Sequence, residues 1–517
     1  MRYFGLIVVF VFWLEGVFAQ VPTAYPAKVF GSPAPESGDC FGISLALQDD
    51  HLFLAAPGRA GGQTDQEELF GKVFIYRWNA GEPIFLQQLD GFEDSLDRRF
   101  GISLAAGPGF LVVGSHNYYH HQDNPRAAVE IFEEQENGTW SLAQRIQMTT
   151  DSLIRGASIV EVAAGENMAL AAIFDRVFVI TKHSGTWRIV SEILDPSEET
   201  FSSFGSEVIL DEERLFIVDR SDTEDLDSAG AIYCYEKAEE GWTLVQKIKG
   251  PFKNSYLGTR LALDGDWLAA MDRNEYVRMY HFNRGSSMWE YAHSIRQRDG
   301  IESLAIHGGE MLLGTQREGA ELYSNKTGSS WELVGCLARR ASEGLNVHMG
   351  GNAFITDNVY ILGSGRKSNR FQGFGLPEGR CGIYRKPAFV SYEQWEAEHF
   401  SEDQKDLGIS GKGAVNNEIN YSNWECYAMG LNPVAPNPDR LPRLIKNSEN
   451  EILLRYELSP TASDVLVKVQ CSADLQIWRP ELFGFEELAY SSNSTLMQMG
   501  KTIDSYRFFR FDFVERE

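Results

Sequence analysis

Cysteine is scarce in this 517-residue sequence, and the motifs that would give it a reactive role are missing. The chain has six cysteines, which are Cys40, Cys234, Cys336, Cys381, Cys426 and Cys471. No two form a Cys-x-x-Cys pair, and none lies with histidine at the spacing of a zinc site, which argues against thiol-redox and structural-metal roles. An even number of cysteines in an exported chain permits disulfides without requiring them.

Basic residues are also in deficit, with 47 Lys and Arg against 73 Asp and Glu and a formal net charge of −26. An acidic surface repels phosphate, so we expect neither nucleic acid nor an anionic membrane as partner. The sequence has no nucleophile elbow, P-loop, His-Glu-x-x-His motif or dinucleotide fingerprint. We therefore expect a binding protein with no catalytic residues, and an enzyme is the alternative.

Long apolar runs are missing except at the N-terminus, where one extends from Phe4 to Leu14. Small or apolar residues precede a cleavage point before Gln20, which is typical of a secretory signal over residues 1–19. The alternative is an N-terminal membrane anchor, but the run is shorter than the ~20 residues that a bilayer requires. We expect a secreted, periplasmic or cell-surface protein with no membrane span after cleavage.

A repeated unit organises most of the chain. Its first copy places Phe41–Ala46 before two further apolar runs, Leu52–Pro57 and Gly71–Tyr76, and a second copy starts at Phe100–Ala105. Weaker copies begin near residues 155, 204, 257, 301 and 349. Each unit supplies four short strands, so the repeat predicts an all-β, seven-bladed β-propeller over residues 20–388.

The ends of the array predict how the ring closes. The seventh unit reaches its third strand at Cys381–Arg385 and has no fourth, whereas Ala27–Gly31 resembles a fourth strand that precedes the first unit. We expect this N-terminal strand to complete the last blade and leave no open sheet edge. A tryptophan follows most third-to-fourth turns, as at Trp140 and Trp289, and we expect it to cover the outer edge of its blade.

These units resemble FG-GAP repeats, the Phe-Gly…Gly-Ala-Pro units of integrin α-chain propellers and of secreted bacterial proteins. The resemblance covers roughly residues 24–386 and is carried best by Phe41-Gly42 with Ala55–Gly58. It implies a propeller used in adhesion. Family members often bind calcium in an Asp-rich turn between the first two strands. Turns such as Gln48–Asp50 lack alternating Asp ligands here. We therefore expect no cofactor, and calcium is the alternative although its loop motifs are absent.

Residues 389–517 follow a different pattern and form a separate C-terminal module. Tyr392–Phe400 and Asn423–Pro433 predict two short helices, and three later apolar runs predict a β-sandwich. The whole resembles C-terminal modules of large exported bacterial proteins. Its loop at Gly408–Gly413 lacks the alternating carboxylates that a hard cation needs.

The candidate binding residues lie in long loops. In a propeller the loops between the second and third strands of every blade share one face with the connections between blades, and here those loops are long. We call the face of the propeller that carries these loops the long-loop face, and the opposite face the short-turn face. The predicted binding residues on the long-loop face are His116, Tyr118, Tyr119, His120, Arg366, Lys367, Arg370 and Phe371. The first four could hold a metal or stack on a sugar, or form a polar, aromatic loop, and we expect no metal there.

A third long loop is acidic, with Asp222, Glu224, Asp225 and Asp227 close together. It either binds calcium or is a solvated acidic loop. We expect the second, because the glycine that lets a calcium loop turn sharply is missing.

We expect a monomeric binding or adhesion protein that holds an extracellular protein or glycan on the long-loop face. The alternative is a propeller glycoside hydrolase or lyase acting on extracellular polysaccharide. Ser324–Trp331 resembles a structural hairpin of sialidase-like propellers, although Lys326 replaces its Asp. Catalytic carboxylates could come from distant blades, which sequence spacing does not reveal.

Overall fold

The structure, a computed structural model, describes most of the repeat array and parts of the C-terminal module. It covers residues 23–24, 26–35, 40–57, 71–79, 82–91, 99–116, 127–148, 160–173, 175–197, 202–211, 213–224, 226–239, 241–273, 276–296, 300–315, 319–325, 330–338, 349–364, 379–386, 392–416, 421–434, 441, 443–446, 452–456, 465–472, 479–480, 485–491, 494–499 and 508–515. The chain divides into two compact units, Thr23–Phe389 and a second that contains Val390–Glu517.

The first unit is a seven-bladed β-propeller made of seven separate sheets. Its strands in chain order are β1 (Thr23–Ala24) and β2 (Lys28–Gly31); in blade 1, β3 (Ser44–Gln48), β4 (His51–Ala56), β5 (Lys72–Asn79) and β6 (Glu82–Asp90); in blade 2, β7 (Ser103–Gly107), β8 (Phe110–His116), β9 (Ala127–Glu134) and β10 (Trp140–Met148); in blade 3, β11 (Glu161–Ala164), β12 (Met168–Ile173), β13 (Arg176–His183) and β14 (Thr186–Leu194); in blade 4, β15 (Phe204–Leu210), β16 (Arg214–Asp219), β17 (Ala231–Ala238) and β18 (Gly241–Lys249); in blade 5, β19 (Arg260–Asp264), β20 (Trp267–Met271), β21 (Tyr276–Asn283) and β22 (Met288–Arg296); in blade 6, β23 (Ile301–His307), β24 (Glu310–Thr315), β25 (Gly319–Ser324) and β26 (Glu332–Ala338); and in blade 7, β27 (Met349–Ile355), β28 (Val359–Ser364) and β29 (Arg380–Arg385). The first strands of successive blades contact one another around a ring, from β3 and β7 through to β27 and β3. They are therefore the inner strands, and the fourth strands form the outer rim.

The two N-terminal strands join the last two blades. β2 lies antiparallel to β29, with Phe30 opposite Cys381, and β1 lies parallel to β26. Phe30 also lies 6.0 Å from Phe41 and 5.4 Å from Tyr76 of blade 1, measured between ring centroids. The same short strand is thus in contact with both sides of the junction between blades 7 and 1.

The Phe-Gly pair of the repeat has a steric function at each junction. Phe41 and Phe100 are fully buried, and the glycines that follow them, Gly42 and Gly101, have a φ of 87°. Such a positive φ strains any residue with a side chain. A Cβ on Gly71 of blade 1 would lie 2.0 Å from the carbonyl oxygen of Phe100 in blade 2. Glycine at that position therefore lets the next blade approach.

The tryptophans lie in the seams between blades and not on the outer edges, so the expectation for their position was wrong. Trp140 is 4% exposed, and its ring lies 5.0 Å from that of Phe53 in the preceding blade. Trp187 packs in the same way on Phe110, at 4.7 Å. Packing between two sheets removes more indole surface from water than a rim position would, which explains this placement.

The outer strands of blades 1 to 6 share one irregularity. Each has a register shift at the same point of its pairing with the third strand, and the residues skipped there are Leu86, Ala143, Val190, Val245, Ala292 and Val334. A bulge of this kind twists an edge strand and disfavours pairing with another chain. The repeat therefore protects its own rim.

The second unit contains three short helices, α1 (Tyr392–His399), α2 (Glu402–Asp406) and α3 (Asn423–Met429). Its strands are β30 (Val415–Asn416), β31 (Tyr421–Ser422), β32 (Arg443–Lys446), β33 (Ile452–Tyr456), β34 (Val465–Ser472), β35 (Arg479–Pro480), β36 (Phe485–Ser491), β37 (Ser494–Met499) and β38 (Phe508–Glu515). β32, β33, β36 and β37 form one sheet, β34, β35 and β38 another, and β30 pairs with β31.

Capping and aromatic packing hold the helices of this unit. Ser422 and Glu425 form a capping box at the start of α3, and Gly430 ends that helix in the left-handed conformation. Tyr392 and Trp395 of α1 pack with Tyr427 of α3 in a buried cluster. Within the described residues, no helix has the length and apolar character needed to cross a bilayer.

Candidate functional site at the inner ends of blades 3 to 5

Seven residues occupy the same position near the start of the seven inner strands, which is the end next to the long-loop face. Each lies seven positions before the first residue of the second strand of its blade, and they are Ser44, Ser103, Glu161, Glu207, Arg260, Ser303 and Asn352. We call these residues the inner ring. All seven are polar, although the strands around them are mostly apolar.

In the small members of the inner ring the side chain joins one blade to the next. The Ser103 hydroxyl donates a hydrogen bond to the carbonyl oxygen of Val160 in blade 3. The Asn352 amide donates to the carbonyl oxygen of Ile43 in blade 1, at 3.2 Å. Serine and asparagine at this position therefore satisfy backbone groups at the centre of the propeller.

Blades 3, 4 and 5 replace these small residues with charged ones. Arg260 Nη1 lies 3.6 Å from Glu207 Oε2, and the two side chains are 20% and 15% exposed. Glu161 is 8% exposed. Glu207 and Arg260 thus remain partly open to solvent, whereas Glu161 is buried.

Arg220, which follows β16 directly, belongs to the same group. Burial lowers its pKa, the Glu207 carboxylate acts to raise it, and the Arg260 guanidinium lowers it again. The carboxylates of Glu161 and Asp219 also raise the pKa of Arg220. We call Glu161, Glu207, Arg220 and Arg260 the inner charged cluster, since the charges of the other three act on the pKa of Arg220.

Asp219 fixes the backbone around the inner charged cluster. Its fully buried carboxylate accepts hydrogen bonds from the Ser202 hydroxyl and the Ser203 amide, each at 2.9 Å. It also accepts from the Ser221 amide at 2.9 Å and the Ser221 hydroxyl at 3.0 Å. Burial raises the pKa of Asp219 against the effect of these bonds. The carboxylate thus joins the connection into blade 4 to the loop that leaves its second strand.

Two carboxylates and two guanidinium groups give the inner charged cluster little net charge but many donors and acceptors. Guanidinium groups bind carboxylates and other planar acceptors in a fixed geometry, and carboxylates accept from hydroxyl and amide groups. In a partly buried setting such bonds are stronger than in water. The cluster is therefore suited to hold polar groups of a ligand.

The acidic loop is held by lysines and is only partly solvated, so the expectation of a solvated loop was wrong for Asp222. That residue is 4% exposed, accepts a 2.8 Å hydrogen bond from the Tyr233 hydroxyl and lies 2.7 Å from Lys247 Nζ. Lys247 also pairs with Glu224. A third pair joins Asp227 to Lys253. Among the described residues, no group of three or more His, Cys, Asp or Glu side chains is arranged to hold a metal ion.

Three buried cysteines have properties that do not suit nucleophilic chemistry. Cys234, Cys381 and Cys426 are free thiols. Burial raises the pKa of Cys234 and Cys381, and it raises that of Cys426 to about 11. A thiol in this state is almost fully protonated at neutral pH and is a poor nucleophile.

The predicted binding residues fall almost entirely outside the described residues. The backbone of His116 ends β8 at the long-loop face. The other seven, which are Tyr118, Tyr119, His120, Arg366, Lys367, Arg370 and Phe371, belong to segments that the structure does not describe. They stay predictions, as does any role of these loops in binding.

The inner charged cluster was not predicted, although the sequence contains a signal for part of it. Aligning the repeats on the residue two positions after the recurring glycine places Glu207 and Arg260 opposite Ser44 and Ser103. A charge where the repeat has serine marks a position with a different task. Arg220 has no such signal, because it lies in a loop of variable length.

Comparisons with known proteins show no family for this chain. The sequence matches no protein-family model, and no curated protein is significantly similar to it. Among solved structures, the periplasmic gluconolactonase PpgL of Pseudomonas aeruginosa has a TM-score of 0.43 and 14% identity, over 57% of this chain and 85% of that one. The RRP9 WD40 repeats have a TM-score of 0.48 and 11% identity, over 71% and 99%. The propeller assignment rests on the strand pairing described above.

Proposed function

We propose that this protein binds an extracellular protein or glycan on the long-loop face of the propeller, around the inner charged cluster. The observation that supports this most directly is the placement of Glu161, Glu207 and Arg260. They stand where the repeat elsewhere uses a small hydroxyl or amide to join blades, on the face where the longest connections emerge. A repeat that is regular in its blades and irregular at one end is typical of a scaffold with a binding face.

Contrast between the two faces supports the choice of face. First-to-second turns on the short-turn face span two or three residues, as between Gln48 and His51. On the long-loop face, Ala56 ends a strand whose successor begins at Lys72, and Ser364 ends one whose successor begins at Arg380. Loops of this length add side chains without disturbing the sheets.

The wider setting of this proposal follows from the sequence. We propose an FG-GAP-like propeller that is exported after removal of residues 1–19, is closed by β2 and carries the C-terminal module as a separate domain. The protein would act as a monomer with no catalytic residues. The short-turn pattern and the buried Phe-Gly pairs support the repeat assignment, and deletion of Lys28–Gly31 tests the closure.

An array of glycans and cell-surface proteins, probed with the secreted protein, tests the binding proposal. We expect wild type to bind at least one class of arrayed molecule. Affinity for that class should fall about tenfold or more in a Glu207→Gln/Arg260→Gln variant and in the loop variant Tyr118→Ala/Arg366→Ala. Arg284→Ala is the matched control, since this arginine is 81% exposed on the short-turn face. Binding that survives both double substitutions would place the site elsewhere. Turnover of an arrayed glycan would support a glycoside hydrolase or lyase instead.

A further inference from the structure

The seams between blades are filled at the short-turn face by a recurrent pair of side chains. Between blades 4 and 5, Trp289 is 6% exposed and packs on Phe216, with ring centroids 5.4 Å apart. Arg214, the first residue of β16, places its guanidinium carbon 5.4 Å from the centroid of the Trp289 ring. Only about 10 Å³ of space is left in this seam.

The seam between blades 3 and 4 has the same plan with a different filling. Trp242 is the counterpart of Trp289, and Met168, the first residue of β12, is the counterpart of Arg214. No side chain there covers the indole fully, and Trp242 is only half-buried. A groove of about 530 Å³ opens beside it. This volume lies within the range of small-molecule sites.

The lining of the groove combines an apolar floor with a polar rim. Trp242, Met168 and Leu210 pack together against the core between blades 3 and 4 and form the floor. The rim residues are Glu166, Asn167, Lys182, His183, Asp211, Glu213 and Lys237. An indole face with hydrogen-bonding groups around it is complementary to a ring that has C–H groups on one side and hydroxyls at its edge.

We propose that this groove binds a sugar ring, which stacks on Trp242 and hydrogen-bonds to the rim. A phosphate-bearing ligand fits the rim poorly, since three carboxylates stand in it against two lysines, and Lys182 is already paired with Glu133 at 2.6 Å. The site is independent of the proposed function, because it lies on the opposite face and shares no residue with the inner charged cluster.

Saturation-transfer NMR followed by calorimetry tests this inference with the methyl glycosides of glucose, galactose, mannose, fucose, N-acetylglucosamine and glucuronic acid. We expect at least one to bind wild type. Met168→Phe places at this position the residue that Phe110 supplies in the seam between blades 2 and 3. It should cover the Trp242 ring as Phe110 covers Trp187 and weaken binding about tenfold or more, with no loss of melting temperature. Trp242→Ala should weaken binding to a similar extent, and Arg284→Ala should leave it unchanged.

Three results would overturn the inference. No saturation transfer to any of the six glycosides at about 10 mM would mean that the groove is not a sugar site. Equal affinity of Met168→Phe and wild type would place any bound sugar elsewhere. Binding that is lost in Glu207→Gln/Arg260→Gln but kept in Met168→Phe would assign the sugar to the long-loop face, which contradicts this inference while supporting the proposed function.

Discussion

The seam between blades 4 and 5 and the seam between blades 3 and 4 contain equivalent strands, turns and tryptophans, yet one is closed and the other open. In the first, Trp289 is buried between Arg214 and Phe216, and about 10 Å³ remains empty. In the second, Met168 leaves Trp242 half-buried beside a groove of about 530 Å³. A repeat thus keeps its strand pairing while single side chains decide whether a junction is core or surface.

The outer strands of blades 4 and 3 also differ at the residue that faces the tryptophan of the next blade. The Gln246 side chain accepts a hydrogen bond from the Trp289 amide and donates one to the Trp289 carbonyl, both at 2.8 Å. Gln87 forms the same pair with Trp140 at the seam between blades 1 and 2. The equivalent residue of blade 3 is Ser191, which is exposed. We call the two hydrogen bonds of such a glutamine the outer clamp. The seam between blades 3 and 4 therefore lacks both a side chain that covers its tryptophan and the outer clamp.

We expect the largest loss of stability at a third seam, between blades 7 and 1, where a whole strand can be removed. Deleting Lys28–Gly31 removes the strand that pairs with β29 and the Phe30 ring that contacts Phe41. An unpaired third strand at the rim exposes a sheet edge. We expect the melting temperature to fall by about 10 °C or more, measured by circular dichroism.

Lys28→Ala is the control for this deletion, because its ion pair with Glu82 is exposed and contributes little. An unchanged melting temperature after the deletion would show that β2 does not close the ring.

Alanine substitution of Trp289 and of Trp242 measures how much each seam contributes to stability. Trp289→Ala leaves a cavity in a closed seam and should reduce the free energy of unfolding by about 3–5 kcal/mol. Trp242→Ala removes a half-buried ring beside open space and should cost about 1–2 kcal/mol. Urea denaturation followed by circular dichroism gives both values, and equal losses would mean that the two seams are packed alike.

The outer clamp is tested by Gln246→Ala. It leaves the amide and carbonyl of Trp289 without their partner and should cost about 1–3 kcal/mol in urea denaturation. Gln144 occupies the same register position in blade 2 but donates to the carbonyl of Arg145 within its own strand. Gln144→Ala should therefore cost less than about 0.5 kcal/mol, and a loss as large as that of Gln246→Ala would argue against the clamp.

The smallest expected effect is an increase in the free energy of unfolding. Ser191→Gln places the clamp residue at the open seam, where it can bond the backbone of Trp242 as Gln246 bonds that of Trp289. We expect the free energy of unfolding to rise by about 0.5–1.5 kcal/mol in the same experiment. A neutral or destabilising result would indicate that the backbones of blades 3 and 4 are too far apart for the clamp.

Much of the propeller could be predicted because its signals are local. Phe41-Gly42 and Phe100-Gly101 recur before apolar runs of constant length, and a turn or strand depends on residues close in sequence. The position of Trp140 was predicted wrongly because a turn residue does not reveal which neighbouring blade it contacts. The predicted loop residues, such as Tyr118 and Arg366, remain untested by the described structure.

The sequence by itself determined the number of repeats, the four-strand unit, the glycines at the junctions and the excess of negative charge. The tertiary structure decided that Glu161, Glu207 and Arg260 lie at one end of the ring and act on the pKa of Arg220, and that a groove borders Trp242 while Arg214 covers the equivalent Trp289 one seam further on. The physical reason is that a repeat pattern specifies contacts within a blade. Contacts between blades, such as that of Arg214 with Trp289, join residues far apart in the chain, and their geometry exists only once the ring has formed.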